Sequence, residues 1–128
     1  VIDSVNRHVL IVDDQAGIRL LLQEVLEAEG LTVTVVADGL RAAAMLEEIR
    51  PDLILLDMKM PGMNGLELMR LIHDRGLQLN VMMMTAYAEL EMMEQARQLG
   101  ALGHFGKPFD IQDVARKVKQ LLQGVNEN

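Results

Sequence analysis

The chain has 128 residues, half of them apolar, with no cysteine and a formal net charge of −7. That length suits one domain with a real core, and the lack of cysteine excludes a disulfide framework or a thiolate zinc site. The negative balance argues against a nucleic-acid surface, which needs clustered Lys and Arg.

Val1 to Arg7 is polar and irregular and reads as a loose arm. No signal peptide precedes the first strand and no apolar run nears the length of a membrane span, so a soluble cytoplasmic protein without membrane contact is expected. His8 to Val12 is an apolar strand ending in the acid pair Asp13 and Asp14. Gln15 to Glu29 has helical spacing, with Ile18, Leu21, Leu22, Val25 and Leu26 on one broad face, and Gly30 stops it. Thr32 to Ala37 is a β-branched second strand, and Asp38 caps a helix through about Ile49, followed by Pro51.

Leu53, Ile54, Leu55 and Leu56 run without a polar break into Asp57, the pattern of a strand buried on both faces. The pattern then stops in Met-Lys-Met-Pro-Gly-Met-Asn-Gly, strong turn punctuation. Asn64 or Gly65 opens a third helix, with Leu66, Met69 and Ile72 as inward candidates. Val81 to Met84 is a fourth strand closing on Thr85. Glu89 to Leu99 is a helix with Met92, Met93, Ala96 and Leu99 inside. Ala101 to Phe105 is read as a short fifth strand, followed by Gly106, Lys107 and Pro108. Asp110 caps a last helix whose inward face is Ile111, Val114, Ala115, Val118, Leu121 and Leu122. The expected layout is an arm over 1–7, one domain over 8–123 and a tail over 124–128, with no linker and no output domain. Strands alternating with helices imply parallel pairing with right-handed crossovers.

In such a sheet the ends of strands one, three, four and five gather at one edge, where open α/β folds bind ligands. Asp13, Asp14, Asp57, Thr85 and Lys107 each end an apolar strand or follow it by a step. Converging carboxylates repel, and some must protonate unless a cation joins them. A hard divalent ion resolves the conflict, and Mg²⁺ suits a few carboxylates plus waters, with Mn²⁺ as an expected substitute. Lys107 adds a point charge suited to phosphate and Thr85 a hydroxyl donor. Together they complement a phosphoryl group carried by Asp57 acting as nucleophile. Taken singly, Asp13–Asp14 is a helix cap beside a solvated acid, Thr85 a strand-end cap and Lys107 a surface lysine. Their coincidence is the signal.

The stretches LIVDDQ at 10–15, LILLDMKMPGMNG at 53–65, MTAY at 84–87 and GKPF at 106–109 resemble the receiver domain of bacterial response regulators. The likeness runs from about His8 to Leu122. It implies a flavodoxin-like (βα)5 fold, a three-layer doubly wound sandwich around a parallel five-stranded sheet of order 2-1-3-4-5. It also implies Asp57 as phosphoacceptor and Thr85 and Lys107 as phosphoryl contacts. By the same likeness Mg²⁺ sits on Asp14, Asp57 and the Lys59 backbone carbonyl, with Asp13 acting through water, and Lys107–Pro108 is a cis peptide. Receivers usually carry Tyr or Phe three residues before the lysine; this chain has His104, expected to be half-buried and to serve partner contact.

DDQAGIR at 13–19, YAEL at 87–90 and GHFGKPFD at 103–110 are most similar to the single-domain receivers of a sporulation phosphorelay. That likeness implies a monomer that takes a phosphoryl group from a sensor histidine kinase and hands it to a histidine phosphotransferase, with a phosphatase as a further partner. Gln15, Gly17, Ile18, Leu21, Lys59, Tyr87, His104, Pro108 and Phe109 are then the expected partner contacts. Lys59 and Tyr87 should also rim the crevice and obstruct hydrolysis. One alternative is a stand-alone chemotaxis-type receiver that docks its target without passing phosphate on. A haloacid-dehalogenase phosphatase would need an acid where Lys59 stands, and a dinucleotide-binding domain would need GxGxxG where DDQAGIR stands.

Overall fold

The computed structural model describes residues 7–86 and 89–126, the last three by their backbone alone. Strands β1 (His8–Val12), β2 (Thr32–Val36), β3 (Leu53–Asp57), β4 (Val81–Ala86) and β5 (Gly103–Lys107) alternate with helices α1 (Ala16–Ala28), α2 (Gly39–Ile49), α3 (Gly65–Asp74), α4 (Leu90–Gln98) and α5 (Ile111–Asn126). All pairings are parallel and the sheet order is β2-β1-β3-β4-β5, the expected (βα)5 architecture.

Successive strand side chains point to opposite faces, so the unbroken apolar runs fill two cores. Leu10, Val12, Ile54, Leu56, Val81 and Met83 meet α2, α3 and α4 on one face. Val9, Ile11, Leu53, Leu55, Met82 and Met84 meet α1 and α5 on the other. β3 is buried along its whole length, which fixes it as the centre of the sheet.

Local chemistry sets the helix ends. The Asp38 carboxylate accepts from the Arg41 amide at 2.8 Å at the start of α2. Asn64 and Glu67 form a reciprocal capping box at the start of α3, satisfying two amides that the helix cannot. Asp110 caps α5 through the Gln112 amide at 2.8 Å.

Two expectations, in β5 and in α3, need correction. β5 begins at Gly103 rather than Ala101 and runs through Lys107. The Ala101 amide returns to the Ala96 carbonyl and closes α4, and ladder pairing starts only once Leu102 donates to the Val81 carbonyl. In α1 the phase is set by Leu22 and Leu26, and Leu21, expected as a partner contact, is 46% exposed. In α3 the buried leucine is Leu68, one turn before Ile72, while Leu66 is only partly covered.

Gly65 is where α3 meets the end of β3. A Cβ there would overlap the Asp57 carbonyl oxygen and lie 2.9 Å from the Met58 Cα. Backbone cannot yield as a side chain can, so Gly65→Ala should destabilise the fold by about 2 kcal/mol or more. At Gly17, in the first turn of α1, a Cβ meets nothing within 4 Å, and Gly17→Ala should stabilise by about 0.5–1 kcal/mol. Urea midpoints of the two variants check the contrast; equal shifts would refute it.

Candidate functional site

The strand order brings the carboxyl ends of β1, β3, β4 and β5 together. Asp13 follows β1, Asp57 ends β3, Thr85 lies one residue from the end of β4, and Lys107 ends β5. Register continues the convergence, with Asp57 opposite Met84 and Ala86 opposite Lys107.

Asp13 is fully buried and held from three sides. Its Oδ1 accepts from the Gln15 amide at 2.8 Å, and its backbone carbonyl accepts from Arg19 Nη1 at 2.8 Å. Its Oδ2 accepts from Lys107 Nζ at 2.8 Å. The same ammonium lies 3.3 Å from Asp57 Oδ1 and 3.3 Å from Gln15 Oε1. An ammonium has three donors, and each of these faces an oxygen.

Asp57 is buried, and the Lys59 backbone N–H donates to its carboxylate. Its pKa is pushed up from 3.8 to about 6, first by burial and then by the Asp13 charge, while Lys107 and the Lys59 amide pull it partly back. Burial acts to lower the Lys107 pKa, but the hydrogen bond to Asp13 and the two carboxylate charges outweigh it and the net shift is upward. Asp14 is exposed, yet oxygens of Asp13, Asp14 and Asp57 all lie within 4.8 Å of one another. Three carboxylates against one lysine leave an excess of negative charge. The donor set is all oxygen, which suits a hard divalent cation. Thr85 is buried, and its Oγ1 finds no hydrogen-bond partner among the described residues. Such a hydroxyl is costly unless a ligand completes it.

The expected partner contacts surround this crevice unevenly. Gln15, Gly17, Leu21, Lys59 and Pro108 are exposed, and Gln15 touches Lys107. Ile18 and Phe109 are half-buried against the α1–α5 core. His104 is exposed rather than half-buried, because alternate residues of the edge strand β5 face outward. Tyr87 lies outside the described residues. Lys107–Pro108 is a cis peptide. Sequence reasoning missed Arg19, whose guanidinium fixes the Asp13 carbonyl; an arginine among the leucines of α1 was its only trace.

Comparison with known proteins agrees with this geometry. A family model described as the response regulator receiver domain matches residues 9–119. Sporulation initiation phosphotransferase F of Bacillus subtilis is 48% identical over 91% of this chain and 94% of that protein. The DNA-binding transcriptional regulator NtrC of Salmonella typhimurium is 38% identical over 93% of this chain, which spans only 25% of that longer protein. Among solved structures, a CheY-like receiver domain protein from Methanospirillum hungatei superposes with a TM-score of 0.87 at 31% identity, covering 96% of this chain and 99% of that one. With the order 2-1-3-4-5 and the acidic crevice at its carboxyl edge, these matches show that the chain belongs to the response regulator receiver domain family.

Proposed function

We propose that this receiver is an intermediate of a phosphorelay, one that takes a phosphoryl group from a histidine onto Asp57 and gives it up to another. The observation that carries the reading is a buried carboxylate at the end of β3, 3.3 Å from the Lys107 ammonium and beside the end of β4, where the Thr85 hydroxyl finds no partner among the described residues. An Asp57 oxygen attacks phosphorus, the P–N bond of the phosphohistidine breaks, and the imidazole leaves with the bonding electron pair. The return step runs the same exchange with a second imidazole as nucleophile. Lys107 and Thr85 supply donors to the phosphoryl oxygens, and in-line geometry requires the incoming group opposite the Asp57 oxygen.

Asp14, Asp57 and the Lys59 carbonyl would hold Mg²⁺, with Asp13 reaching it through water. When bound, the ion offsets the charge of the carboxylates and of the transferring group. Likeness to the sporulation protein supports a sensor histidine kinase as donor, a histidine phosphotransferase as acceptor, and a cytoplasmic role in sporulation control. Gln15, Gly17, Ile18, Leu21, Lys59, Pro108 and Phe109 then form the docking rim for those helical partners.

Mixing the protein with a phosphorylated histidine phosphotransferase domain and Mg²⁺ tests the reading. Label should pass to the protein and back, and Asp57→Asn should take none. Full labelling of that variant would sink the assignment, and one-way transfer would mark a docking module instead.

The upward shift of Asp57 gives a second test, made on metal-free protein. Between pH 3.8 and about 6 the folded state keeps a proton that the unfolded chain has released. Stability therefore falls as pH rises through that window, and the penalty is complete above it. Asp57→Asn should remove a penalty of about 3 kcal/mol, so its gain in melting temperature should be larger at pH 7.5 than at pH 4. Mg²⁺ should narrow the gap by stabilising the wild type through mass action. A gain independent of pH would contradict the assignment of burial and Asp13 as the causes.

A further inference from the structure

Beyond Lys107, Thr85 and the Lys59 amide, the described residues bring a further donor to the crevice, and a side chain already holds it. In the β3–β4 ladder the Ile54 amide donates to the Asn80 carbonyl and the Met58 amide to the Met84 carbonyl. Continued one step, the ladder would give the Ala86 amide to the Met58 carbonyl. The chain turns away at that point, and the Met58 carbonyl accepts from Gly65 at 2.9 Å instead. The Ala86 N–H is thus left pointing from β4 past the end of β3, on the side where Asp57 lies. There it donates to Glu89 Oε1 at 2.9 Å.

Glu89 reaches back three residues to that amide, as Glu67 does to the Asn64 amide. It stands at the N-cap of α4 but makes no side-chain cap hydrogen bond. Its carboxylate holds a strand amide at the edge of the crevice, one residue along β4 from Thr85. An amide that binds a carboxylate is equally suited to a phosphoryl oxygen.

We infer that Glu89 is a positioning residue that occupies the Ala86 amide as a built-in anion, and that a phosphoryl group on Asp57 must displace it to gain that donor. The inference rests on the phosphoacceptor reading of Asp57. Its consequence is a tuned acceptor: the carboxylate keeps the amide satisfied in the unmodified protein and weakens the hold on the phosphoryl group. For a relay this favours onward transfer. The exchange makes and breaks only hydrogen bonds, so no co-reactant is needed.

The test uses beryllofluoride, a mimic of the phosphoryl group on a carboxylate, with Mg²⁺ on the wild type and on Glu89→Ala and Glu89→Gln. In the free protein, the amide proton of Ala86 should resonate downfield in the wild type and move upfield in Glu89→Ala. Beryllofluoride should bind Glu89→Ala about tenfold more tightly than wild type, the effect of removing one charge-assisted competitor. Glu89→Gln, with a neutral oxygen of the same reach, should fall between them and carries the test if the alanine variant folds poorly. Equal affinities in all three would overturn the inference while leaving Asp57 as acceptor. Failure of the wild type to bind beryllofluoride would overturn both.

Discussion

The ammonium of Lys107 is the contact on which the site depends. Asp13 and Asp57 are both buried, and Lys107 lies within 2.8 Å and 3.3 Å of their respective oxygens. At an effective dielectric near 20, unit charges 4 Å apart interact by about 4 kcal/mol. Repulsion between two such carboxylates is therefore comparable to what one lysine returns to either. Burial first, and then the Asp13 charge, hold the pKa of Asp57 up, and Lys107 pulls it only partly back. The excess of negative charge over that one lysine makes the crevice receptive to a further cation, and Lys107 reaches the acids because β5 lies beside β4.

Everything around the crevice serves to fix where those groups sit. The core strands are buried on both faces, so their ends cannot slide without inverting the packing of two layers. Gly65 lets α3 start directly against the backbone of Asp57, and the Asn64–Glu67 capping box holds the turn before it. Gly39, at the start of α2, lets the Met63 carbonyl approach so closely that a Cβ would stand 2.6 Å from it. The loop carrying Lys59 is thus clamped at its far end by a helix that contributes nothing to the acidic cluster.

Much of this was legible because burial and function leave the same mark here: an apolar run broken by one polar residue. Asp13, Asp57 and Thr85 could be read that way, and so could the alternation of strands with helices. β5 misled because its ladder residues are two glycines, a histidine, a phenylalanine and a lysine, while of the apolar pair before it Ala101 closes the helix and Leu102 only opens the ladder. In α1 three consecutive leucines hide the phase, which only Leu22 and Leu26 reveal. Arg19 and the Ala86–Glu89 contact were not legible at all. Both act on backbone atoms, and a sequence shows side chains without showing which amides and carbonyls a ladder leaves spare.

The fate of His104 follows from strand parity. Met83 pairs with His104 and Thr85 with Gly106, so His104 shares a sheet face with Met83 and Thr85, on the α4 side, and is exposed there. Phe105 and Lys107 share the opposite parity, and Phe105 packs against the α1–α5 core. A side chain at 104 can report on Thr85 only by moving inward along that face, and burying an imidazole there needs a polar partner. The Thr85 hydroxyl has no partner among the described residues, but the proposed phosphoryl group would claim it. A receiver that drives a separate output must convert its phosphorylation into a repositioned surface. A relay intermediate need not, since its product is the phosphoryl group itself and its partners read the crevice directly. An exposed polar residue at 104 and a carboxylate resting on the Ala86 amide both fit the proposed relay role, in which the phosphoryl bond is kept for transfer to a second histidine.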